Sequence, residues 1–252
     1  MLHLLTAPGG NRTLQESRHQ PPALVASHAW PRRAPHRIVK TNRSYYIDTD
    51  ALRLHYFLMV SAVVLAAGAS TRMGTQKLLL PLDGEPLVRR AVRQVCAAGF
   101  DDVLVVLGSE HEKMLAALDG LRARHTINAQ YGSGMGSSFR TAVEHLADSV
   151  AAMFALADQP FVTTHEYRAV LDAYRKHAPA IVSVRYGEVM APPHLFEREF
   201  FPELAELRHG ARPVLQRHLE RALVLRFPPD LLVDIDTPED YEVAKSRVVS
   251  GR

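Results

Sequence analysis

The fold is decided by the stretch Val60-Ser61-Ala62-Val63-Val64-Leu65-Ala66-Ala67-Gly68-Ala69-Ser70-Thr71-Arg72-Met73-Gly74-Thr75-Gln76-Lys77. Residues 60–66 are apolar apart from one serine, which is typical of a strand buried on both faces of a parallel sheet. A loop of small residues with two glycines follows, and it carries the cations Arg72 and Lys77. Ligands of open α/β sheets bind beyond the carboxyl ends of the strands, so a functional site is expected at this loop.

Further along the chain, apolar runs alternate with segments of helical period. This alternation predicts an α/β fold, a Rossmann-like three-layer sandwich with a mainly parallel sheet. The predicted strands are 60–66, 103–107, 151–157 and 180–184, and the predicted helices are 86–98, 110–118, 137–147, 163–176 and one from 237. In the helix over 86–98, Pro86 is expected at the first helical position and Gly99 at the stop.

The composition is that of an ordinary globular chain. Its 252 residues are 47% hydrophobic and 23% charged, which excludes collagen-like, coiled-coil and wholly disordered proteins. A single cysteine, Cys96, excludes an internal disulfide and a cysteine-based zinc site. Nothing requires an oxidising compartment, and no apolar run approaches the ~20 residues of a membrane span. We therefore expect a cytoplasmic protein.

The excess of basic over acidic side chains lies in the first 58 residues. They hold eight of the 30 basic side chains but only three of the 27 acidic ones, so the formal net charge of +3 comes from this segment. We therefore predict no nucleic-acid and no membrane partner for the rest of the chain. Residues 1–58 show no sustained period, and three interpretations remain: a disordered extension, a transit peptide, or an upstream start with the true start at Met59. Residues 59–252 are predicted to form one domain.

The loop after the first strand has the chemistry of a triphosphate site. Backbone amides near small residues can donate to phosphate oxygens, and Arg72 and Lys77 can neutralise their charge. It is not a Walker A loop, because Met73 stands where the second glycine would be. The structural alternative is a tight strand–helix turn with a surface arginine and lysine.

Two other segments carry carboxylates at strand ends. Asp158 follows the predicted strand 151–157, where a buried carboxylate is costly unless it is solvated, paired or metal-bound. The alternative is a helix N-cap or a turn residue before Pro160. Asp234 and Asp236 alternate on an extended segment and should share a face. Thr237 is the expected N-cap of the last helix, with a proline at its first position. Capping explains neither aspartate.

A glycine- and serine-rich segment, residues 131–138, opens the predicted helix 137–147. Small residues at a helix N-terminus can form an anion site. The dinucleotide fingerprint fails because Ser137 stands where its third glycine should be. Ligand contact and a plain flexible loop remain equally compatible with this pattern.

Taken together, these motifs resemble one family. Leu-Ala-Ala-Gly-x-Ser-x-Arg-Met-Gly-x-x-Lys over 65–77, the Leu-Leu-Leu-Pro-Leu-x-Gly-x-Pro-Leu that follows it, Ala-Asp-Gln-Pro at 157–160 and Gly-Met-Gly-Ser-Ser at 134–138 resemble molybdenum cofactor cytidylyltransferase and its guanylyltransferase relatives. The cytidylyltransferase branch typically has Ala-Ala-Gly where the other branch has Ala-Gly-Gly, so Ala66-Ala67-Gly68 resembles the CTP branch.

The resemblance implies a role for each motif. It implies that Arg72 and Lys77 are catalytic and contact phosphates, and that the nucleotide is bound by Leu65, Ala66, Ala67, Gly68, Arg72, Lys77 and Asp158. It implies Mg²⁺ held by Asp158 and Asp236, with Asp234 as the reserve ligand. It implies a substrate pocket for the acceptor at Gly134, Met135, Gly136, Ser137 and Ser138.

The resemblance is weaker on the acceptor side. The family usually has an Arg-Gly-His-Pro-like stretch where this chain has Val189-Met190-Ala191-Pro192-Pro193-His194. It usually has Gly-Asp-x-Gly-Ala-Arg where this chain keeps only Gly210-Ala211-Arg212. These two regions are expected to shape the acceptor pocket.

The resemblance implies an Mg²⁺-dependent nucleotidyltransferase that moves CMP from CTP to molybdopterin and releases pyrophosphate. A client molybdenum hydroxylase is an expected partner. Two alternatives stay open: transfer that uses GTP or another phosphorylated acceptor, and a non-catalytic accessory that delivers a cofactor to molybdoenzymes.

Overall fold

A computed structural model describes residues 59–250 of the chain, and the predictions made for residues 1–58 lie outside it. Its centre is an eight-stranded sheet in the order β10-β7-β9-β6-β1-β4-β5, with β8 paired to β7. The strands are β1 Met59–Ala66, β4 Asp102–Leu107, β5 Arg124–Ile127, β6 Ser149–Leu156, β7 Ile181–Tyr186, β8 Val189–Met190, β9 His194–Glu197 and β10 Ala222–Phe227, and a separate hairpin pairs β2 Pro81–Leu82 with β3 Glu85–Pro86.

The sheet is mostly parallel, as predicted. β1 pairs parallel with both β4 and β6, β4 with β5, and β7 with β10. Only β8 and β9 run antiparallel to their neighbours in this sheet. The carboxyl ends of β1, β4 and β6 therefore meet at one edge.

Seven α-helices accompany the sheet within residues 59–250. They are α1 Leu87–Cys96, α2 His111–Ala117, α3 Met135–Glu144, α4 Thr164–His177, α5 Phe201–Ala205, α6 Arg212–Arg217 and α7 Pro238–Ser250. None of them is long and apolar enough to cross a bilayer.

Alternation along β1 separates two hydrophobic cores. Val64 and Ala66 pack with α1, α2 and α4 on one face, whereas Val63 and Leu65 pack with α3, α5 and α6 on the other. Helices thus cover both faces, which confirms the three-layer sandwich.

Helix α1 corrects one detail of the prediction. It begins at Leu87 rather than Pro86, because Pro86 is extended (φ −53°, ψ 140°) and pairs with Pro81 in the hairpin. Gly99, at φ +94°, adopts the left-handed backbone that a stop after the helix requires.

Candidate functional site

The loop between β1 and the hairpin lines a cavity of about 300 Å³ at the carboxyl ends of β1 and β6. Residues that contribute to this cavity include Leu65, Ala67, Gly68, Ser70, Arg72, Lys77, Tyr131, Gly134, Met135, Ser138, Asp158 and Asp236. The structure therefore brings most of the predicted site residues into one cleft.

Three predicted residues lie outside the lining of this cleft. The methyl group of Ala66 is buried in the core on the opposite face of the sheet. A Cβ at Gly136 would lie 1.9 Å from the carbonyl oxygen of Leu207, so this glycine permits a close backbone approach. The Ser137 hydroxyl donates to the carbonyl oxygen of Gly134 at 2.7 Å. Gly136 and Ser137 therefore make contacts that shape the loop around the cleft.

Lys77 joins the two predicted metal ligands. Its ammonium donates to Asp158 Oδ2 at 2.7 Å and to Asp236 Oδ1 at 2.8 Å. The two carboxylate oxygens are therefore at most 5.5 Å apart, the sum of these distances. The Lys77 side chain is only 10% exposed. The family resemblance implies that Lys77 contacts phosphates, and in this structure its ammonium lies between the two aspartates.

Arg72 completes the charge pattern. Its guanidinium lies 3.0 Å from Asp236 Oδ2, while 67% of the side chain stays exposed. Two cations and two carboxylates thus share one cleft, with the arginine at its solvent side. Lys77 and Arg72 both contact Asp236, and Lys77 also contacts Asp158.

The contacts in this cleft raise the pKa of Lys77 and lower the pKa of Asp236. Burial alone would lower the pKa of Lys77, but the carboxylates of Asp158 and Asp236 outweigh it and raise that pKa above its ordinary value. Burial alone would raise the pKa of Asp236, but its bonds to Lys77 and Arg72 lower it. Lys77 is therefore charged, and Asp236 ionised, at neutral pH.

Asp158 has an oxygen that the protein leaves unused. Its Oδ1 is buried and, within residues 59–250, has no hydrogen-bond partner. An unpartnered buried carboxylate oxygen is costly. Asp158 and Asp236 thus present carboxylate oxygens to the same ammonium, and Asp158 has a further oxygen without a partner; such hard oxygen donors are what a divalent metal such as magnesium prefers. The described residues contain no group of three or more His, Cys, Asp or Glu suited to a metal.

The segment before α7 fixes Asp236 in place. The Ile235 amide donates to the carbonyl oxygen of Asp158 at 3.1 Å, which ties this segment to the end of β6. Asp240 Oδ2 accepts from the amides of Asp236 and Thr237, and the Thr237 hydroxyl accepts from the Asp240 amide. Thr237 is therefore the N-cap, as predicted.

Asp234 has a different partner from Asp236. The side-chain amide of Gln159 donates through Nε2 to Asp234 Oδ1 at 2.9 Å. Asp234 does not line the cleft, whereas Asp236 does. The structure thus favours Asp236 over Asp234 as the carboxylate that faces the cavity.

A buried asparagine organises the glycine- and serine-rich loop. Asn128 Nδ2 donates to the hydroxyls of Ser137 and Ser138 at 2.8 and 3.1 Å. Its Oδ1 accepts from the Gln130 amide at 2.9 Å. Asn128 is not among the predicted site residues, although its place directly after β5 is a signal that points to it.

A second cavity of about 210 Å³ adjoins the first and shares three lining residues with it, Leu65, Met135 and Leu156. Its other walls are Phe139, Phe154, Met190, Pro192, His194, Gly210, Ala211, Arg212 and Leu215. Residues from both regions that are expected to shape the acceptor pocket therefore line this cavity, the divergent stretch 189–194 and the retained Gly210-Ala211-Arg212.

His194 is the buried polar group of the second cavity. Burial lowers the pKa of His194 to about 3, so the imidazole is neutral at physiological pH. Its Nδ1 lies 3.2 Å from the Ser183 hydroxyl. The second cavity thus offers apolar walls and a neutral imidazole, with the exposed Arg212 at its edge.

Comparison with solved structures defines the class of protein. The chain is similar to a nucleotidyl transferase from Methanothermobacter thermautotrophicus, Mth528, with a TM-score of 0.68, 26% identity, and coverage of 77% of this chain and 99% of that one. It is also similar to Rv0371c of Mycobacterium tuberculosis H37Rv in complex with manganese, with a TM-score of 0.59, 28% identity, and coverage of 75% and 98%. The fold is that of the nucleotidyltransferases.

The chain belongs to the MobA-like NTP transferase domain family, whose model matches residues 62–222. It is 32% identical over 202 residues to the purine catabolism protein PucB of Bacillus subtilis, covering 73% of this chain and 94% of that protein. It is 32% identical to nicotine blue oxidoreductase of Paenarthrobacter nicotinovorans, covering 53% and 65%. It is 26% identical to a probable molybdenum cofactor guanylyltransferase of Natronomonas pharaonis, covering 75% and 98%. The predicted family is confirmed.

Proposed function

We propose that residues 59–252 form a magnesium-dependent nucleotidyltransferase that moves CMP from CTP to a phosphorylated acceptor, molybdopterin, and releases pyrophosphate. The observation that carries this proposal is the position of Lys77 between Asp158 and Asp236, beside an unpartnered carboxylate oxygen. Cations and metal-binding carboxylates in one cleft suit a polyphosphate better than an uncharged substrate.

The transfer needs positioning and charge neutralisation. An oxygen of the acceptor phosphate attacks the α-phosphorus of CTP, a new phosphoanhydride bond forms, and the bond to pyrophosphate breaks. Lys77 and Arg72 would contact the phosphates and offset the charge that moves onto the leaving group. No side chain need act as a nucleophile.

Asp158 and Asp236 would hold the Mg²⁺. When bound, the ion supplies positive charge to the triphosphate that two side-chain cations alone do not. The manganese complex of Rv0371c supports a divalent metal in a related fold, and the hard oxygen donors here support magnesium.

The CTP assignment rests on Ala67. Its side chain belongs to the core on the face of Leu65, and the residue lines the cavity. The guanylyltransferase branch of the family that this chain resembles has glycine at this place. Alanine at this place is the feature that this chain shares with the cytidylyltransferase branch, and it supports CTP as the nucleotide.

The molybdopterin assignment rests on the second cavity. Its apolar walls next to the cleft suit a ring system, and Arg212 at its edge suits an acceptor phosphate. The molybdenum cofactor guanylyltransferase among the relatives supports an acceptor of this kind.

The test is pyrophosphate release from each of the four nucleoside triphosphates with molybdopterin and Mg²⁺. We expect turnover with CTP that is lost in Asp158→Asn. Turnover with GTP alone would overturn the CTP assignment, and CTP turnover only with other phosphorylated acceptors would overturn molybdopterin. Tight binding with no turnover under any condition would favour a cofactor-delivery accessory that serves a client molybdenum hydroxylase.

A further inference from the structure

Gln76 is a buried residue that the proposed chemistry does not use. Its side chain is nearly inaccessible, at 3% exposure, and it does not line the cleft. Buried amide groups require hydrogen-bond partners. The partners of the Gln76 side chain show which parts of the molecule it connects.

The Gln76 side chain connects both ends of the loop between β1 and Lys77. Its Oε1 accepts from the Ser70 hydroxyl at 2.7 Å, and its Nε2 donates to the carbonyl oxygen of Gly68 at 2.9 Å. Oε1 also accepts from the Leu78 amide at 3.3 Å, which caps the short helical turn that begins at Lys77. A longer contact, 3.4 Å, joins Nε2 to the carbonyl oxygen of Ser109 after β4.

Ser70 explains why the loop needs this support. It adopts a left-handed backbone (φ 53°, ψ 36°), which is unfavourable for a residue other than glycine by about 1–2 kcal/mol. The Ser70 amide and hydroxyl lie in a segment that lines the cleft. The hydrogen bond from the Ser70 hydroxyl to Gln76 holds Ser70 in this unfavourable backbone conformation.

We propose that Gln76 is a positioning residue that preorganises the loop for a polyphosphate and directs Lys77 into the cleft. The inference rests on the proposed polyphosphate site, but on neither the base nor the acceptor. A loop already ordered before binding loses less conformational entropy when the ligand arrives. Removal of Gln76 should therefore weaken polyphosphate binding although Gln76 does not line the cleft.

The experiment measures the binding of magnesium tripolyphosphate to the full chain by titration calorimetry. It compares wild type, Gln76→Ala, Ser70→Ala and the double variant, with unfolding measured on each. We expect Gln76→Ala to weaken binding by about tenfold, since several modest hydrogen bonds are lost together. Ser70→Ala should weaken it less, and the double variant no more than Gln76→Ala alone, because the two share one bond.

Gln94→Ala is the matched control. Gln94 also accepts bonds through Oε1, from the amide and hydroxyl of Thr164, but it joins α1 to α4 away from the cleft. It should alter stability without altering tripolyphosphate binding. The proposal is overturned if Gln76→Ala destabilises the fold yet binds as wild type, if the two single effects add, or if wild type does not bind tripolyphosphate. If Gln76→Ala fails to fold, Ser70→Ala alone decides. Binding without CMP transfer would contradict the proposed function and leave this inference intact.

Discussion

The ammonium of Lys77 lies 2.7 Å from Oδ2 of Asp158, and the other oxygen of that carboxylate is buried with no partner among residues 59–250. The Lys77 ammonium therefore contacts only one of the two oxygens of a carboxylate that we propose as a metal ligand. The same ammonium contacts Asp236 at 2.8 Å. Lysine and a divalent ion would compete for these two side chains.

This competition predicts two opposite effects of Lys77→Met. CMP transfer should fall by about 10²–10³-fold, because a charge opposite the phosphates is lost. Binding of Mn²⁺ without nucleotide should tighten, because the ammonium no longer neutralises the carboxylates. Electron paramagnetic resonance titration of free Mn²⁺ measures the second effect. Lys113→Met, an exposed lysine paired with Glu110, is the control. Unchanged Mn²⁺ affinity in Lys77→Met would show that lysine and metal do not compete.

The two neighbouring aspartates should differ in their effect on activity. Asp236→Asn should lower kcat by about 10²-fold or more, because it weakens contacts to both Lys77 and Arg72. Asp234→Asn should change kcat little, since its partner is Gln159. Steady-state pyrophosphate release measures both. An equal loss in Asp234→Asn would move the metal-binding role toward that residue.

Gly136 should not tolerate a side chain. A Cβ there would lie 1.9 Å from the carbonyl oxygen of Leu207, and backbone cannot yield as a flexible side chain can. We expect Gly136→Ala to lower the free energy of unfolding by about 1–3 kcal/mol or more. Gly132→Ala, where a Cβ meets nothing within 4 Å, is the control in the same loop. Urea unfolding compares them, and equal stability of the two variants would refute the close approach.

His194 should make the protein sensitive to acid. Burial depresses its folded pKa to about 3, against 6.5 as the ordinary value. Between these values the unfolded chain binds a proton that the folded chain does not, so its contribution to stability is present above pH 6.5 and is lost as the pH falls. The slope from this one group is at most about 1.4 kcal/mol per pH unit.

His194→Gln should therefore flatten the dependence of unfolding free energy on pH between 4 and 6.5, whatever its effect on stability at pH 7. Chemical denaturation at several pH values measures the slope. His177→Gln, at an exposed position on α4, controls for removal of a histidine. Parallel curves for wild type and His194→Gln would contradict a neutral buried imidazole.

The sequence predicted the elements with long apolar runs, but missed both edge strands, the short strand β8 and the antiparallel strand β9 between β7 and β6. β1, β4 and β6 are buried on both faces, so their composition alone identifies them. β5 has the sequence Arg-His-Thr-Ile and is largely exposed, and β10 is half-buried at the other edge. Edge strands such as these owe their conformation to pairing with a neighbour, which local sequence does not report.

The sequence predicted which charged residues belong to the candidate site, but not which of these side chains contact one another. Charged residues at strand ends pointed to Arg72, Lys77, Asp158 and Asp236. The supporting residues Gln76 and Asn128 were missed because each acts through hydrogen bonds within its own loop. The pairing of Lys77 with both aspartates depends on strand order. It brings Lys77 into contact with Asp158, which is 81 positions further along the chain, and with Asp236, which is 159 positions further along.

The most direct test is a crystal structure with CTP and Mn²⁺, with the ion located by its anomalous signal. Our account predicts one ion bound by both Asp158 and Asp236, and Lys77 in contact with a phosphate rather than between the carboxylates. An ion bound by Asp234 instead, or a nucleotide bound elsewhere while Lys77 still joins the two aspartates, would contradict it.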